Sequence, residues 1–370
     1  MKVLMLSKAC YVATYRRKLE ELAELPHVEL TLIVPPYWRM EKGKALLEPG
    51  YDKGYEMIVE NPILNGNHHL HFYPNLARHL EHLQPDLVHI DEEPYDLVTF
   101  HALRASRRVG AKTLFFTWQN IERHFPPPFG WFESYVLRHA NGAIAGNRDA
   151  DDILKRKGFH KPVFLIPQFG VDTEIYRPGQ RETEGLFRIG YVGRLVEEKG
   201  ILVLLRAAAG LKGNWELHLV GDGPLKPQIE RLASSLGIAG KTHIKGSIPS
   251  TEIPSHLGQL DALVLPSLTR TGWKEQFGRV LIEAMACQVP IIGSDSGEIP
   301  NVIDDVGLIC HEGNVEDLRT QLSRLMEDES LRRELARRGR ERVEKLYTQK
   351  RIAEKTYEAY KAILNIAQLD

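Results

Sequence analysis

Residues 187–200 read FRIGYVGRLVEEKG. Phe187–Val192 is apolar enough for a buried strand, Gly193 breaks it, and Ile201–Leu211 begins an apolar helix directly after Gly200. Strand, loop and helix in that order make half of a parallel β-α-β unit. The same alternation recurs on both sides. Downstream, Trp215–Val220, Thr242–Lys245, Ala262–Leu265 and Val289–Ile292 read as strands with helices after most of them. Upstream, Lys2–Leu6, Val28–Val34, Leu87–Ile90, Lys112–Thr117, Gly142–Ala145 and Val163–Pro167 do the same. Between the two sets, Arg177–Gly185 (RPGQRETEG) has no apolar periodicity and reads as a linker. The division is therefore a doubly wound α/β domain over residues 1–177 and a second over 186–349. From Asp328 onward the chain reads as polar helix, with apolar spacing through Leu331, Leu335, Val343, Tyr357, Tyr360 and Leu364.

Composition narrows the function. Over 370 residues, Lys plus Arg number 48 and Asp plus Glu 49, a net charge of −1, which argues against a dedicated nucleic-acid binder. An apolar fraction of 43% with 26% charged residues is ordinary for a globular chain. The apolar run at the start stops at Ser7 and Lys8, and Ile201–Leu211 is broken by Arg206, so neither a secretory leader nor a membrane span is expected. Cys10, Cys287 and Cys310 form no CxxC pair, which fits a reducing compartment, no structural zinc and a cytoplasmic location.

Chemistry-bearing residues cluster after the strands of the second half, where α/β folds bind ligands. Gly193, Arg194 and Lys199 lie between a strand and a helix and suit a phosphate or diphosphate, or else form a surface loop with ordinary charges. Gly221 and Gly223 flank Asp222 ahead of Pro224, which could start the next helix. The segment allows a close backbone approach to a ligand but reads more readily as a plain tight turn. From Val280 to Cys287 a helix is apolar all round except for Glu283. A buried carboxylate needs a partner, either a polar ligand such as a ribose diol or a neighbouring Arg or amide. Glu275 stands eight residues earlier, and backbone N–H groups around Phe277–Arg279 would face an anion.

The order GRLxxEKG (Arg194, Lys199), GDGP (Gly221–Pro224), E-x7-E (Glu275, Glu283) and GSDSGEIP (Gly293–Pro300) resembles the retaining glycosyltransferases of family 4. Ile166–Pro178 (IPQFGVDTEIYRP) extends the resemblance weakly into the first half. The resemblance implies a GT-B fold, two Rossmann-like domains facing a central cleft, with a C-terminal helix (about 350–370) returning to the first. It implies that Arg194 and Lys199 hold the donor diphosphate, that Glu283 binds the ribose and Glu275 the transferred sugar. Phe277 and Gly278 would support the sugar, Val280 the phosphate, and Ser247 and Ile248, after Gly246, the base. The nucleotide sugar is then a co-substrate, and no metal cofactor is expected.

The first half departs from that pattern. The loop after its first strand, Ser7–Tyr11, lacks the paired glycines common in the family, with Lys8 as an electrostatic substitute. Where many members have a histidine near the reacting sugar, this chain has Trp118, Gln119 and Asn120, the last two able to hydrogen-bond a hydroxyl.

Other features have competing readings. Asp91, Glu92 and Glu93 follow a strand and suit acceptor hydroxyls or a solvated acidic loop. His68, His69, His71, His79 and His82 crowd one stretch, but a metal needs converging ligands with carboxylate or thiolate support, so no metal is assigned to them. Arg16, Arg17, Lys18, Arg104, Arg107 and Arg108, with the aromatics of Phe125–Phe132, suit peripheral docking on an anionic membrane carrying a lipid-linked acceptor, or are solvated charges beside a packed loop. Arg332–Arg342 reads as a solvated helix face. The sequence thus points to an enzyme that transfers sugar to a glycan, lipid-linked or small-molecule hydroxyl. A non-catalytic sugar-nucleotide-binding protein and a GT-B nucleotide-sugar epimerase are the alternatives.

Overall fold

The structure, a computed structural model, describes residues 1–40, 43–179 and 185–365. It divides into two compact units, residues 1–170 with 349–370 and residues 171–348. Most of the expected linker, residues 180–184, lies outside the described residues.

The first unit contains β1 (Lys2–Leu6), β2 (Glu29–Val34), β3 (Tyr37–Arg39), β4 (Lys44–Leu46), β5 (Glu56–Val59), β6 (Leu87–Ile90), β7 (Lys112–Thr117), β8 (Gly142–Ala145) and β9 (Val163–Leu165). Seven of these form a parallel sheet in the order β5-β2-β1-β6-β7-β8-β9, and β3 and β4 form a small antiparallel pair. All four residues of β6 and of β8 are buried, which is why neither strand alternates apolar with polar residues and only His89 interrupts the apolar run of β6. One face packs Val98, Ala102, Val136 and Leu154 against the sheet. The other packs Leu19 and Leu22 together with Ile352, Ala353, Tyr360 and Ile363 of the C-terminal helix, Gln349–Leu364. That helix therefore belongs to the first unit. Its Gln349 clamps Gly170, accepting from the amide at 3.2 Å and donating to the carbonyl at 3.0 Å. Further along, the buried Tyr360 hydroxyl meets His89 Nδ1 at 2.7 Å. Burial pushes the His89 imidazole down to about 3, so the ring is neutral there.

The second unit contains β10 (Phe187–Val192), β11 (Trp215–Val220), β12 (Thr242–Lys245), β13 (Ala262–Leu265), β14 (Ile291–Ser294) and β15 (Leu308–Cys310), in the order β12-β11-β10-β13-β14-β15. With the strands of each parallel sheet counted in chain order, the second sheet runs 3-2-1-4-5-6, the dinucleotide-fold order, and the first runs the same way with a seventh strand, β9, added at the end. Chain direction reverses across the sheet between β1 and β6 in one unit and between β10 and β13 in the other. Both units are Rossmann-like, and the class is GT-B.

Several expectations need correction. Residues 171–178 group with the second unit, because the Val171 amide donates to Tyr347 O at 2.8 Å and Arg340 donates to Tyr176 O at 3.0 Å. The strand expected at Val289–Ile292 is Ile291–Ser294, since Pro290 has no N–H and the Val289 amide is used on Ala284 O. Nor does Pro224 start a helix; that helix is Lys226–Ser235, with its proline, Pro227, in the first turn. Arg16 and Lys18 are neither solvated nor available to a membrane. Arg16 is 1% exposed and donates to the carbonyls of Cys10 (2.6 Å) and Gly50 (2.6 Å), while Lys18 donates to Gln168 O at 2.6 Å. The run Arg332–Arg342 is likewise partly structural: Arg342 donates to Val302 O and Asn301 O, and Arg332 to Met326 O. All three cysteines are buried and free. Among the described residues no helix is long and apolar enough to cross a membrane.

Tyr360→Phe removes the hydroxyl from a buried pair and leaves His89 without its partner, so a urea melt should show a loss of about 1–2 kcal/mol. An unchanged midpoint would mean that this hydrogen bond does not fasten the C-terminal helix.

Candidate functional site

In the second unit the loops leaving β10, β11 and β13 converge. The first two are stitched together by Leu195 N–H to Asp222 O (2.9 Å) and Leu225 N–H to Leu195 O (3.1 Å). Gly221 must lack a side chain, because a Cβ there would lie 1.9 Å from Gly193 O. The Gly221–Pro224 segment is thus a tight turn that positions the Gly193–Lys199 loop, with Gly223 donating to the Asp222 side chain at 2.8 Å. The buried Tyr191 hydroxyl holds the same loop by donating to Arg194 O at 2.8 Å. Arg194 itself is exposed.

Lys199 Nζ lies 2.6 Å from Glu275 Oε2, and Ser267 Oγ donates to the same oxygen at 2.8 Å. Ser267 is fully buried and Glu275 is 6% exposed. The ammonium also sits over the Trp273 ring, 5.0 Å from its centroid. Glu275 is held through its backbone as well, since its carbonyl accepts from Glu298 N–H at 3.1 Å. Gly297, in left-handed backbone at φ +56°, makes this approach feasible, as a Cβ there would lie 2.0 Å from the Glu275 carbonyl oxygen. Ser267 and Trp273 escaped the sequence reading, although Ser267 follows the end of β13, where a polar residue is worth attention.

Gly278 precedes the helix Arg279–Ala286, in which Leu281–Ala286 are buried and Val280 is half-buried. Phe277 is buried edge-on against Tyr347, centroids 5.8 Å apart. Glu283 has the neighbouring arginine as partner: Arg279 Nε lies 2.8 Å from its Oε1. Burial raises the Glu283 carboxyl above its usual range, opposed by Arg279 and by a hydrogen bond from the Tyr176 side chain. Ser247 is exposed and Ile248 half-buried, just beyond β12.

The first unit builds a second polar cluster at its own reversal point. Ser7 Oγ donates to Asp91 at 2.7 Å, and Lys8 pairs with Glu92 through its ammonium and through its amide (3.0 Å). Burial works against the Lys8 charge, but Glu92, Asp96 and Glu93 outweigh it and hold the ammonium above its ordinary value. Asp91 and Glu92 are 3% and 4% exposed, which excludes a solvated acidic loop. The histidine stretch does meet carboxylates, supplied from elsewhere in the chain: His69 Nδ1 lies 2.7 Å from Asp96, His79 Nε2 lies 2.8 Å from Glu60, and the buried His71 lies 4.0 Å from Glu92. Gln119 is 9% exposed. Its carbonyl accepts from Lys157 at 3.2 Å, while its Nε2 has no partner among the described residues. Asn120 is also buried.

Residues 172–342 match the family model for group 1 glycosyl transferases. Over 232 residues the chain is 29% identical to the alpha-D-kanosaminyltransferase of Streptomyces kanamyceticus, covering 58% of this chain and 59% of that protein. It is 31% identical over 248 residues to a GDP-mannose-dependent phosphatidylinositol monomannoside mannosyltransferase of Mycolicibacterium smegmatis, covering 60% and 63%. The matched stretches span about three-fifths of these two relatives. Anabaena HepE in complex with UDP shares the fold at a TM-score of 0.73 and 17% identity, over 98% of this chain and 100% of that one.

Glu93 gives the first-unit cluster a pH signature. It accepts from Thr117 Oγ1 (2.7 Å) and Trp118 N–H (2.8 Å), yet burial pushes its carboxyl from 4.5 up to about 7. A raised acid favours the protonated folded state, so this contribution to stability is full below about pH 4.5 and lost as pH rises through about 7. Denaturation midpoints should therefore fall less steeply over that window in Glu93→Gln than in the parent. An identical slope in both would assign the titration to another group.

Proposed function

We propose that the protein is a glycosyltransferase that moves a sugar from a nucleotide-diphosphate sugar to a hydroxyl of a glycan, lipid-linked or small-molecule acceptor, with retention and without a divalent metal in the reaction. The carrying observation is the Lys199–Glu275–Ser267 cluster at the β10/β13 reversal point, with Arg194 exposed on the same loop as Lys199. As the glycosidic bond to the diphosphate breaks, negative charge collects on the leaving phosphate. Two preorganised cations, Arg194 and Lys199, stabilise it there. Glu275, its orientation fixed by Lys199 and Ser267, accepts from hydroxyls of the transferred sugar. Glu283 does the same for the ribose diol, with Phe277, Gly278 and Val280 lining the sugar and phosphate, and Ser247 and Ile248 at the base.

The acceptor falls to the first unit in this reading, with Glu92 and the amides of Gln119 and Asn120 as hydroxyl partners. Lys8 is paired with Glu92 there, with Glu93 and Asp96 adding further negative charge around it. The relatives' names support a nucleotide-sugar donor, one of them being GDP-mannose-dependent. A cytoplasmic site of action belongs to the proposal. Peripheral membrane contact now rests on Arg104, Arg107, Arg108 and Trp131, all exposed. The paired Lys8 favours one second reading, a sugar-nucleotide-binding protein without transfer.

A thermal-shift screen with UDP-, GDP-, ADP- and TDP-sugars, each read against an EDTA-treated baseline, should give a selective rise in melting temperature that EDTA leaves in place. No shift with any donor would overturn the proposal, and a shift without transfer or slow hydrolysis across acceptors would select the binding-protein reading. Glu283→Ala should weaken nucleotide binding at least about tenfold, by the loss of buried hydrogen bonds. Arg194→Ala and Lys199→Ala should lower kcat by about 10²–10³ with smaller effects on affinity, the scale seen when one transition-state donor is removed.

A further inference from the structure

We infer that the outer edge of the second sheet carries a zinc-type metal site made by Glu216, His218 and His243. Glu216 and His218 are two residues apart on β11 and therefore share a face of the sheet. His243 on β12 is paired in parallel register with His218 and points the same way. The rings of the two histidines are 4.9 Å apart.

Glu216 Oε2 lies 3.2 Å from His218 Nε2 and 3.5 Å from His243 Nε2, and one ligand atom from each of the three residues lies within 4.8 Å of the others. Tetrahedral zinc with bonds of about 2.0–2.1 Å needs ligand atoms about 3.3 Å apart, so two of the three edges already have the required length. A small change in a histidine χ angle brings the third edge in. Two imidazoles and a carboxylate are a zinc-competent set, and a water fills the fourth position. Because β12 is the edge strand and His243 is half-exposed, that position is open to solvent.

The surroundings set the affinity. Arg188 on β10 is in register with Glu216, and Lys245, two residues beyond His243, pairs with Glu252 at 3.5 Å. Both cations compete with a bound metal for the field of Glu216. His256, on the helix Ile253–Leu257, stands 6.3 Å from the His218 ring, and its enclosed Nε2 has no partner among the described residues.

None of these residues belongs to the Lys199–Glu275 cluster, so the site is separate from the proposed transfer chemistry. Its effect is mechanical: a metal ties β12 to β11, and β12 runs directly into Gly246–Ile248.

The test uses the full chain, stripped with EDTA and dialysed, in calorimetric titrations with ZnCl2, with visible spectroscopy on CoCl2 as a reporter of four-coordinate geometry. One zinc per chain is expected, with a raised melting temperature, a cobalt spectrum of the tetrahedral type and no response to MgCl2. His243→Gln and Glu216→Gln should each weaken zinc binding at least tenfold while melting like the parent without metal. His69→Gln, in the other histidine-rich region, should bind zinc as the parent does. Absence of zinc binding in the parent, or equal binding in the parent and His243→Gln, overturns the assignment. The donor screen does not enter either result.

Discussion

An ammonium and a carboxylate 2.6 Å apart and mostly removed from water, as Lys199 and Glu275 are, persist only when other groups complete their solvation. Here the buried Ser267 hydroxyl and the Trp273 ring do so. Much of the second unit can be understood as support for that pair. The β10 loop that carries Lys199 is pinned by Tyr191 and laced to the Gly221–Pro224 turn, and the Glu275 backbone is gripped by the segment at Gly297. A lysine held this way is already desolvated and fixed in direction by the fold, so little reorganisation is left to it.

The first unit repeats the strand order and places charges at the equivalent reversal point, but balances them differently. Around Lys8 the acids outnumber the cation, with Glu92 in direct contact and Glu93 and Asp96 close by. Such a surface has no spare positive charge for a diphosphate. It suits groups that donate hydrogen bonds. One architecture used twice thus carries opposite electrostatic characters, set by a few residues at strand ends.

What could be read in the sequence follows from this physics. β1, β6, β7, β8, β10 and β13 fall where the apolar runs place them, because a parallel strand covered on both faces is apolar at most positions; β11 and the edge strand β12 also fall where expected, with apolar and polar residues alternating along them. The three-residue β15 and the β3–β4 pair are too short to generate a period and were not legible. Glu283 stood out because a carboxylate in an otherwise apolar helix is conspicuous, and Glu275 by its place eight residues earlier. The burial of Asp91, Glu92, Arg16 and Lys18 did not, since it depends on partners remote in sequence: Lys8 and Glu92 are 84 residues apart, and Lys18 and Gln168 are 150 apart. Composition reports that a charge exists, and only the fold reports whether it is solvated.

The return of the C-terminal helix to the first unit makes the second unit an insertion. The chain leaves the first unit after Gly170 and re-enters it at Gln349, and Val171 and Thr348 lie side by side in a parallel bridge. A domain whose two ends are already adjacent can be cut out or exchanged at a single seam without stretching the backbone on either side. Recombination at that seam would exchange the second unit and leave the first unchanged, and the returning helix, with Gln349 clamped on Gly170, would close the host domain whichever insert it received.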